Sequence, residues 1–178
     1  MYTDDQLRKV IRFSKSAPIE PEEAARSFEE RSGILLPKCL KRIHMLGGGS
    51  SLSFSLPGGT AVSCDLHALA VNPFEYYGSD MIAAHKALLS QLDKCRNAFR
   101  RVFPFGQDGS GGQFCLDYRT QNEPLISLYN WDYDLIARSF DELIERALVL
   151  NQNVEGSHLK AISNEEQQEF LSLLPEDW

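Results

Sequence analysis

One glycine-rich loop and one pair of acids are the places in this sequence where residue types and spacing suggest chemistry. The loop Asp108-Gly109-Ser110-Gly111-Gly112 resembles an anion cradle, because glycines let backbone N–H groups approach a ligand. It lacks the closing Gly-Lys-Ser/Thr of a phosphate loop and the further acids of a calcium loop. We therefore interpret it as a tight strand connection in which Asp108 bonds its own backbone.

The two acids Asp108 and Asp117 could meet across a hairpin and act in acid–base catalysis. Two acids in a strongly acidic region are weak evidence for an active site, however, and no serine lies in the G-x-S-x-G pattern of a hydrolase nucleophile. A small enzyme that uses the Asp108 loop is therefore the least favoured of our hypotheses.

Cysteines and histidines do not form the clusters that hold metals. The four cysteines are Cys39, Cys64, Cys95 and Cys115. The four histidines are His44, His67, His85 and His158. None of these positions forms a CxxC pair or another metal-ligand spacing. We expect buried, reduced thiols, a hydrogen-bonded His85 on the apolar face of a helix, and neither a metal nor a cofactor.

Negative charge is concentrated in the C-terminal part of the chain. The 178 residues carry a net charge of −7, yet residues 104–178 contain fourteen acidic and only four basic residues, a net charge of −10. Such a segment would repel a phosphate backbone, which argues against direct nucleic-acid binding and favours a basic protein partner. An ordinary solubilising surface is the alternative interpretation.

The composition and the N-terminus indicate a soluble protein. With 43% hydrophobic residues and no apolar run long enough to cross a bilayer, the chain is unlike disordered or membrane proteins. Residues 1–10 lack the basic and apolar regions of a secretory signal, so we expect a cytoplasmic protein.

Capping residues, prolines and glycines predict three helices in the N-terminal part. A Thr3/Gln6 capping box begins the first, which we expect to reach about Ser14. Prolines begin the helices at 21–33 and 37–47, and glycines end them. Later in the chain, apolar spacing and caps predict helices that begin at Ser79 and run to Phe99, that follow Ser139, and that follow Ser163.

Strand patterns and short turns predict a mostly antiparallel sheet. The predicted strands are 51–56, 61–64, 66–71, 101–105, 113–118 and 125–131, with 135–138 as an extension. Short turns place neighbouring strands antiparallel. Strands grouped between helices, without βαβ alternation, predict a single α+β domain with a twisted, mostly antiparallel sheet flanked by helices.

A set of short motifs follows in a fixed order along most of the chain. These are Phe28-Glu29, Gly33-Ile34-Leu35-Leu36-Pro37, Gly47-Gly48-Gly49, Val102-Phe103-Pro104-Phe105-Gly106, Asp108-Gly109, Gly112, Phe114-Cys115-Leu116-Asp117, Pro124-Leu125-Ile126, Trp131 and the run from Ile136 to Leu143. As an ordered set they resemble the SUKH superfamily, the Smi/Knr-like proteins, over residues 19–150.

The resemblance implies one SUKH-like domain over residues 1–178, with 151–178 as a C-terminal helical extension, and no catalytic site. It further implies core positions for Phe105, Phe114, Leu116, Ile126 and Phe140, and a turn role for Gly106, Gly109 and Gly112. Bacterial members of this group are mostly immunity proteins that bind a cognate polymorphic toxin, often a nuclease. Fungal relatives act as regulatory or scaffold proteins, which is our alternative hypothesis.

An inhibitor of a basic toxin should present exposed aromatic and acidic side chains to its partner. The densest such cluster runs from Tyr129 to Asp134, and hairpin adjacency should bring Asp108 and Tyr118 close to it. The residues predicted to contact the partner are Asp108, Tyr118, Tyr129, Trp131, Asp132, Tyr133 and Asp134, with Phe74, Tyr76 and Tyr77 from a second aromatic loop.

Overall fold

The computed structural model describes residues 2–12, 20–47, 51–69, 80–92, 95–130, 132–152 and 159–175, which contain six helices and seven strands. The helices are α1 (Asp4–Val10), α2 (Glu22–Ser32), α3 (Lys38–Leu46), α4 (Met81–Gln91), α5 (Phe140–Gln152) and α6 (Asn164–Leu171). The strands are β1 (Ile11–Arg12), β2 (Ser51–Ser55), β3 (Ala61–Leu66), β4 (Val102–Gln107), β5 (Gln113–Asp117), β6 (Leu125–Asn130) and β7 (Asp132–Ala137).

The seven strands form one open antiparallel sheet in which each strand pairs with the next along the chain. The connection between β3 and β4 contains α4, and helices pack on both faces of the sheet. This confirms the predicted α+β domain with a mostly antiparallel sheet flanked by helices.

Side-chain caps begin α1 and α6, as the sequence predicts. Thr3 accepts a hydrogen bond from the backbone of Gln6, and Ser163 accepts one from Glu166 in a second capping box. At the other end of α2, Gly33 adopts a left-handed conformation with φ of 71°. Each of these contacts joins residues that are close in the sequence, so the sequence alone can predict these helix ends.

Three predicted helix boundaries are wrong, and for the end of α1 the reason is that strand pairing overrides the local pattern. α1 ends at Val10 instead of near Ser14, since Ile11 and Arg12 pair with β2. α4 ends at Gln91 and a run of turns over 95–100 follows, so the helix does not reach Phe99. Its N-cap within the described residues is Asp80, whose carboxylate accepts the Ala83 N–H at 2.9 Å.

The predicted strand over 66–71 is also wrong in its described part. Leu66 is the last residue of β3, and Ala68 forms only an isolated bridge with Asp80. Residues 70 and 71 lie outside the described residues.

The sheet separates two hydrophobic cores. The first lies between the sheet and α1, α2, α3 and α5, and it buries all five residues expected in the core: Phe105, Phe114, Leu116, Ile126 and Phe140. The second lies beneath α4 and α6, and its members are Leu88, Leu92, Cys95, Phe99, Val102, Cys115, Tyr133, Leu135 and Phe170. All four cysteines are buried and free, as expected.

Gly106 serves a close approach of two strands, so its predicted turn role is wrong. It lies inside β4, at a register shift that follows Pro104. A Cβ atom there would collide with the Cys64 Sγ and would lie 2.7 Å from the carbonyl oxygen of Asp65. Only glycine therefore lets β4 pack against β3 at this point.

We expect Gly106→Ala to lower the free energy of unfolding by about 1–3 kcal/mol, because β3 and β4 must move apart to admit the methyl group. Gly109→Ala is the matched control, since a Cβ there meets nothing within 4 Å. Urea denaturation followed by circular dichroism measures both variants. Equal stability of the two would contradict this account of Gly106.

A buried ion pair attaches the C-terminal segment to the second core. The Arg119 guanidinium donates to Asp117, whose side chain is 1% exposed, and its Nη1 donates to the carbonyl oxygen of Leu173 at 3.1 Å. Three aromatic rings surround the guanidinium carbon at 5.1–5.5 Å: Phe99, Tyr133 and Phe170. The Tyr133 hydroxyl donates a further bond to Asp117. Charge, hydrogen bonds and cation–π contacts together offset the cost of burying this ion pair.

Replacing Arg119 alone should lower the stability of the fold, because the negative charge of Asp117 is then buried without a counter-charge. We expect Arg119→Met to lower the unfolding free energy by about 3–5 kcal/mol. The double variant Asp117→Asn/Arg119→Met removes both charges, so it should be less destabilised than Arg119→Met alone. Thermal denaturation of the three proteins checks the order, and a double variant at least as unstable as Arg119→Met would contradict it.

Candidate partner-binding surface

The β4–β5 loop and the β6–β7 connection lie side by side at one end of the sheet. Gln107 pairs with Gln113, Gln113 pairs with Tyr129, and Asn130 pairs with Asp132. The register therefore brings the Asp108 loop next to Tyr129, as expected from the short turns. The expectation that Tyr118 lies close to this cluster is wrong, because Tyr118 follows Asp117, which pairs with Leu125 at the other end of β6.

Two of the predicted contact residues, Tyr118 and Tyr133, are buried, so the expectation that they offer exposed surface is wrong. Each is 1% exposed. The Tyr118 hydroxyl donates to the carbonyl oxygen of Leu35, and the Tyr133 ring stacks on Phe170 with 4.9 Å between ring centroids. Burial raises the pKa of both hydroxyls. Both tyrosines therefore stabilise the fold and cannot contact a partner directly.

Asp132 and Asp134 are exposed on the sheet face opposite Tyr133. Asp134 accepts a hydrogen bond from the Gln167 side chain of α6 at 3.0 Å. Partial burial and the negative charge of Asp132 raise the pKa of Asp134. The two carboxylates thus repel each other, and a cation from a partner placed near them would relieve that repulsion.

Asp108 accepts hydrogen bonds from the backbone of its own loop, as the sequence predicts. One carboxylate oxygen accepts the N–H groups of Ser110 and Gly112 and the Ser110 hydroxyl, each at 2.8 Å. Burial favours the neutral form, but these hydrogen bonds outweigh it and lower the pKa of Asp108. The Asp108 carboxylate therefore stabilises the loop, and it also adds a negative charge to this end of the sheet.

The proposed acid pair of Asp108 and Asp117 does not form. Asp117 pairs with Val102 at the far end of the β4–β5 hairpin, while Asp108 follows the near end at Gln107. The acid–base hypothesis built on these two residues is wrong, because strand length separates them.

Of the remaining predicted contact residues, the structure describes Tyr129. Tyr129 is half-buried and lies on the same face of the sheet as Gln113 and Tyr133, its cross-strand neighbours. Trp131, Phe74, Tyr76 and Tyr77 lie outside the described residues, so their role stays a prediction.

Buried ionisable groups elsewhere in the described chain support the fold. Glu20 accepts the Leu69 N–H at 2.8 Å, and its other oxygen lies 2.7 Å from the Nδ1 of His44. His85 is half-buried and stacks on Phe103 with 4.1 Å between ring centroids. Among the described residues no group of three or more His, Cys, Asp or Glu side chains is placed to hold a metal ion, and no helix could span a membrane.

Sequence patterns missed the polar row that Gln107, Gln113 and Tyr129 form across three strands. Each residue lies at a strand end, where polar side chains are common and give no signal alone. Aligning the three strands by their turns would have revealed the row, because directly paired residues share a face.

The same elements carry a family relationship. Residues 20–146, from α2 into α5, match the family model described as SMI1 / KNR4 family (SUKH-1). Comparisons with curated proteins and with solved structures gave no significant match. Since the family model spans more than half of the chain, this chain belongs to the SMI1/KNR4 family (SUKH-1).

Proposed function

We propose that this chain is a non-enzymatic immunity protein that binds and neutralises a cognate bacterial toxin, such as a nuclease, by protein–protein contact. Membership of the SMI1/KNR4 family (SUKH-1) is consistent with an immunity-type role. The single observation that carries the choice of surface is the exposed acidic pair of Asp132 and Asp134.

Electrostatics supports this surface as the docking site. The pair lies within the part of the chain that carries a net charge of −10, and Asp108 adds a further charge at the same end of the sheet. Toxins that act on nucleic acids need basic surfaces to bind their substrate. An acidic surface on the inhibitor therefore speeds encounter with such a toxin and suppresses wrong partners.

Rigidity of the surface also supports the proposal. Asp132 and Asp134 flank Tyr133, which is buried in the second core, and Gln167 of α6 holds Asp134. A surface held in place before binding loses little conformational entropy when the partner docks.

The gene neighbourhood and a rescue assay test the function itself. A toxin gene should lie beside this gene, and co-expression of this chain should restore growth of cells that express that toxin. The purified pair should form a tight complex. Several weak partners without any toxin neighbour would instead favour the regulatory or scaffold alternative and contradict the proposal.

Neutralising the acidic pair should slow association with that toxin. We expect Asp132→Asn/Asp134→Asn to lower the association rate constant by roughly 3- to 10-fold at low salt, with the difference shrinking as salt screens the charges. Surface plasmon resonance with a catalytically inactive toxin measures the rate.

Glu23→Gln/Glu30→Gln is the matched control, because it also removes two exposed acids but from α2. Its association rate should stay within about twofold of the unchanged protein. An equal slowing by both double variants would mean that net charge alone matters, and it would overturn the docking surface.

A further inference from the structure

A groove of about 680 Å³ lies on the other face of the same sheet end, between α4 and the ends of β4, β5 and β6. Its volume falls in the range of small-molecule sites. The acidic pair of Asp132 and Asp134 lies on the opposite face from Tyr129, which lines the groove. Gln113 and Tyr129 therefore place the groove on the face away from the acidic pair, and Asn130, which pairs with Asp132, is the lining strand residue that shares the face of the acids.

Four carboxamides line this groove: Gln91, Gln107, Gln113 and Asn130. Each can donate and accept hydrogen bonds. Gln107 and Gln113 are paired across neighbouring strands, so their side chains share one face of the sheet, and the Gln113 amide nitrogen lies 3.4 Å from the Gln107 amide oxygen. The lining thus matches a ligand that carries several groups able both to donate and to accept.

The Gln113 amide is only partly satisfied within the protein. Its oxygen lies 3.1 Å from the Nε2 of His67, whereas its nitrogen reaches the oxygens of Gln107 and Gly111 only at 3.4 Å. Contacts of that length are weak. His67, which is 2% exposed, therefore orients Gln113 and leaves the amide nitrogen available to a ligand.

Apart from Ser110 and Gly111 of the β4–β5 loop, the other described lining residues are apolar or aromatic. Ala83, Ala87 and Leu88 of α4 form one wall, and the Tyr129 ring lies among the strand residues opposite. No Asp, Glu, Lys, Arg or His side chain occurs among the described residues that line the groove. A charged ligand would lose its hydration without gaining a counter-charge, so the lining favours a neutral one.

From the paired carboxamides, the apolar wall with its aromatic ring and the lack of charge, we propose that this groove binds a neutral oligosaccharide. Sugar hydroxyls donate and accept as the amides require, and the C–H face of a pyranose ring packs on apolar and aromatic surface. Small alanine side chains on α4 leave the space that a pyranose ring needs. This site is independent of the proposed toxin binding.

The test uses a panel of neutral trisaccharides: cellotriose, laminaritriose, maltotriose and N,N′,N″-triacetylchitotriose. The unchanged protein should bind at least one of them, measured by isothermal titration calorimetry and by chemical-shift changes at Gln113 and Asn130. Trigalacturonic acid, which is charged, and a blocked Gly-Ser-Ala heptapeptide serve as competitors. No binding of any trisaccharide up to about 10 mM would overturn the proposal.

Filling the groove should remove binding. Ala87 is exposed and lines the groove, so we expect Ala87→Trp to leave the fold intact and to weaken trisaccharide binding at least about tenfold. Lys86→Trp is the matched control, because Lys86 is an exposed neighbour outside the groove, and it should retain affinity within about twofold. Gln107→Ala, at another exposed lining position, should also weaken binding and gives a second variant if Ala87→Trp does not fold.

Two results would overturn the site even if a sugar binds. Affinity unchanged in Ala87→Trp and Gln107→Ala would place the sugar elsewhere. Tighter binding of the heptapeptide than of every trisaccharide, lost in the same variants, would identify the groove as a peptide site. Asp132→Asn/Asp134→Asn should leave sugar binding unchanged, so failure of the toxin proposal and failure of this one are distinguishable.

Discussion

Central strands of this protein are covered on both faces, and the alternation of side chains along them decides the role of each residue. In β5, Phe114 and Leu116 enter the first core while Cys115, between them, enters the second. In β7 the same rule buries Tyr133 and leaves Asp132 and Asp134 exposed. A shift of one residue in the pairing of either strand would turn each side chain to the opposite face of the sheet. In β7 this shift would bury the two aspartates and expose Tyr133, so the register is strongly constrained.

The second core depends on a charge as well as on apolar area. Arg119 is held by Asp117 and by rings from three separate segments, one of them Phe170 of α6. Because α6 lies beyond residues 20–146, the segment matched by the family model, this core is completed by residues outside that segment. A guanidinium can be buried only when its hydrogen bonds are satisfied. Arg119 meets this condition by donating to Asp117 of β5 and to the carbonyl oxygen of Leu173, and it also contacts the Tyr133 ring of β7. The C-terminal segment is thereby held against β5 and β7.

One end of the sheet carries two surfaces of different chemistry on its two faces. Asp132 and Asp134 make one face negatively charged. On the other face, Gln107 and Gln113 line a groove with neutral side chains that can form hydrogen bonds. The Asp108 loop borders this end and is fixed by its own hydrogen bonds. Because adjacent residues in a strand point to opposite sides, Gln113 and Tyr129 of the groove lie on the face away from Asp132 and Asp134.

The sequence by itself determined most helix starts, most strand positions, the α+β class and the concentration of acids, since caps, turns and alternation are local signals. It also predicted that the Asp108 loop would lie beside Tyr129. Only the tertiary structure decided that β1 ends the first helix early, that Tyr118 and Tyr133 are buried, and that Gly106 faces Cys64. Strand alternation shows that neighbouring residues point to opposite faces, but which face is covered depends on where distant helices pack.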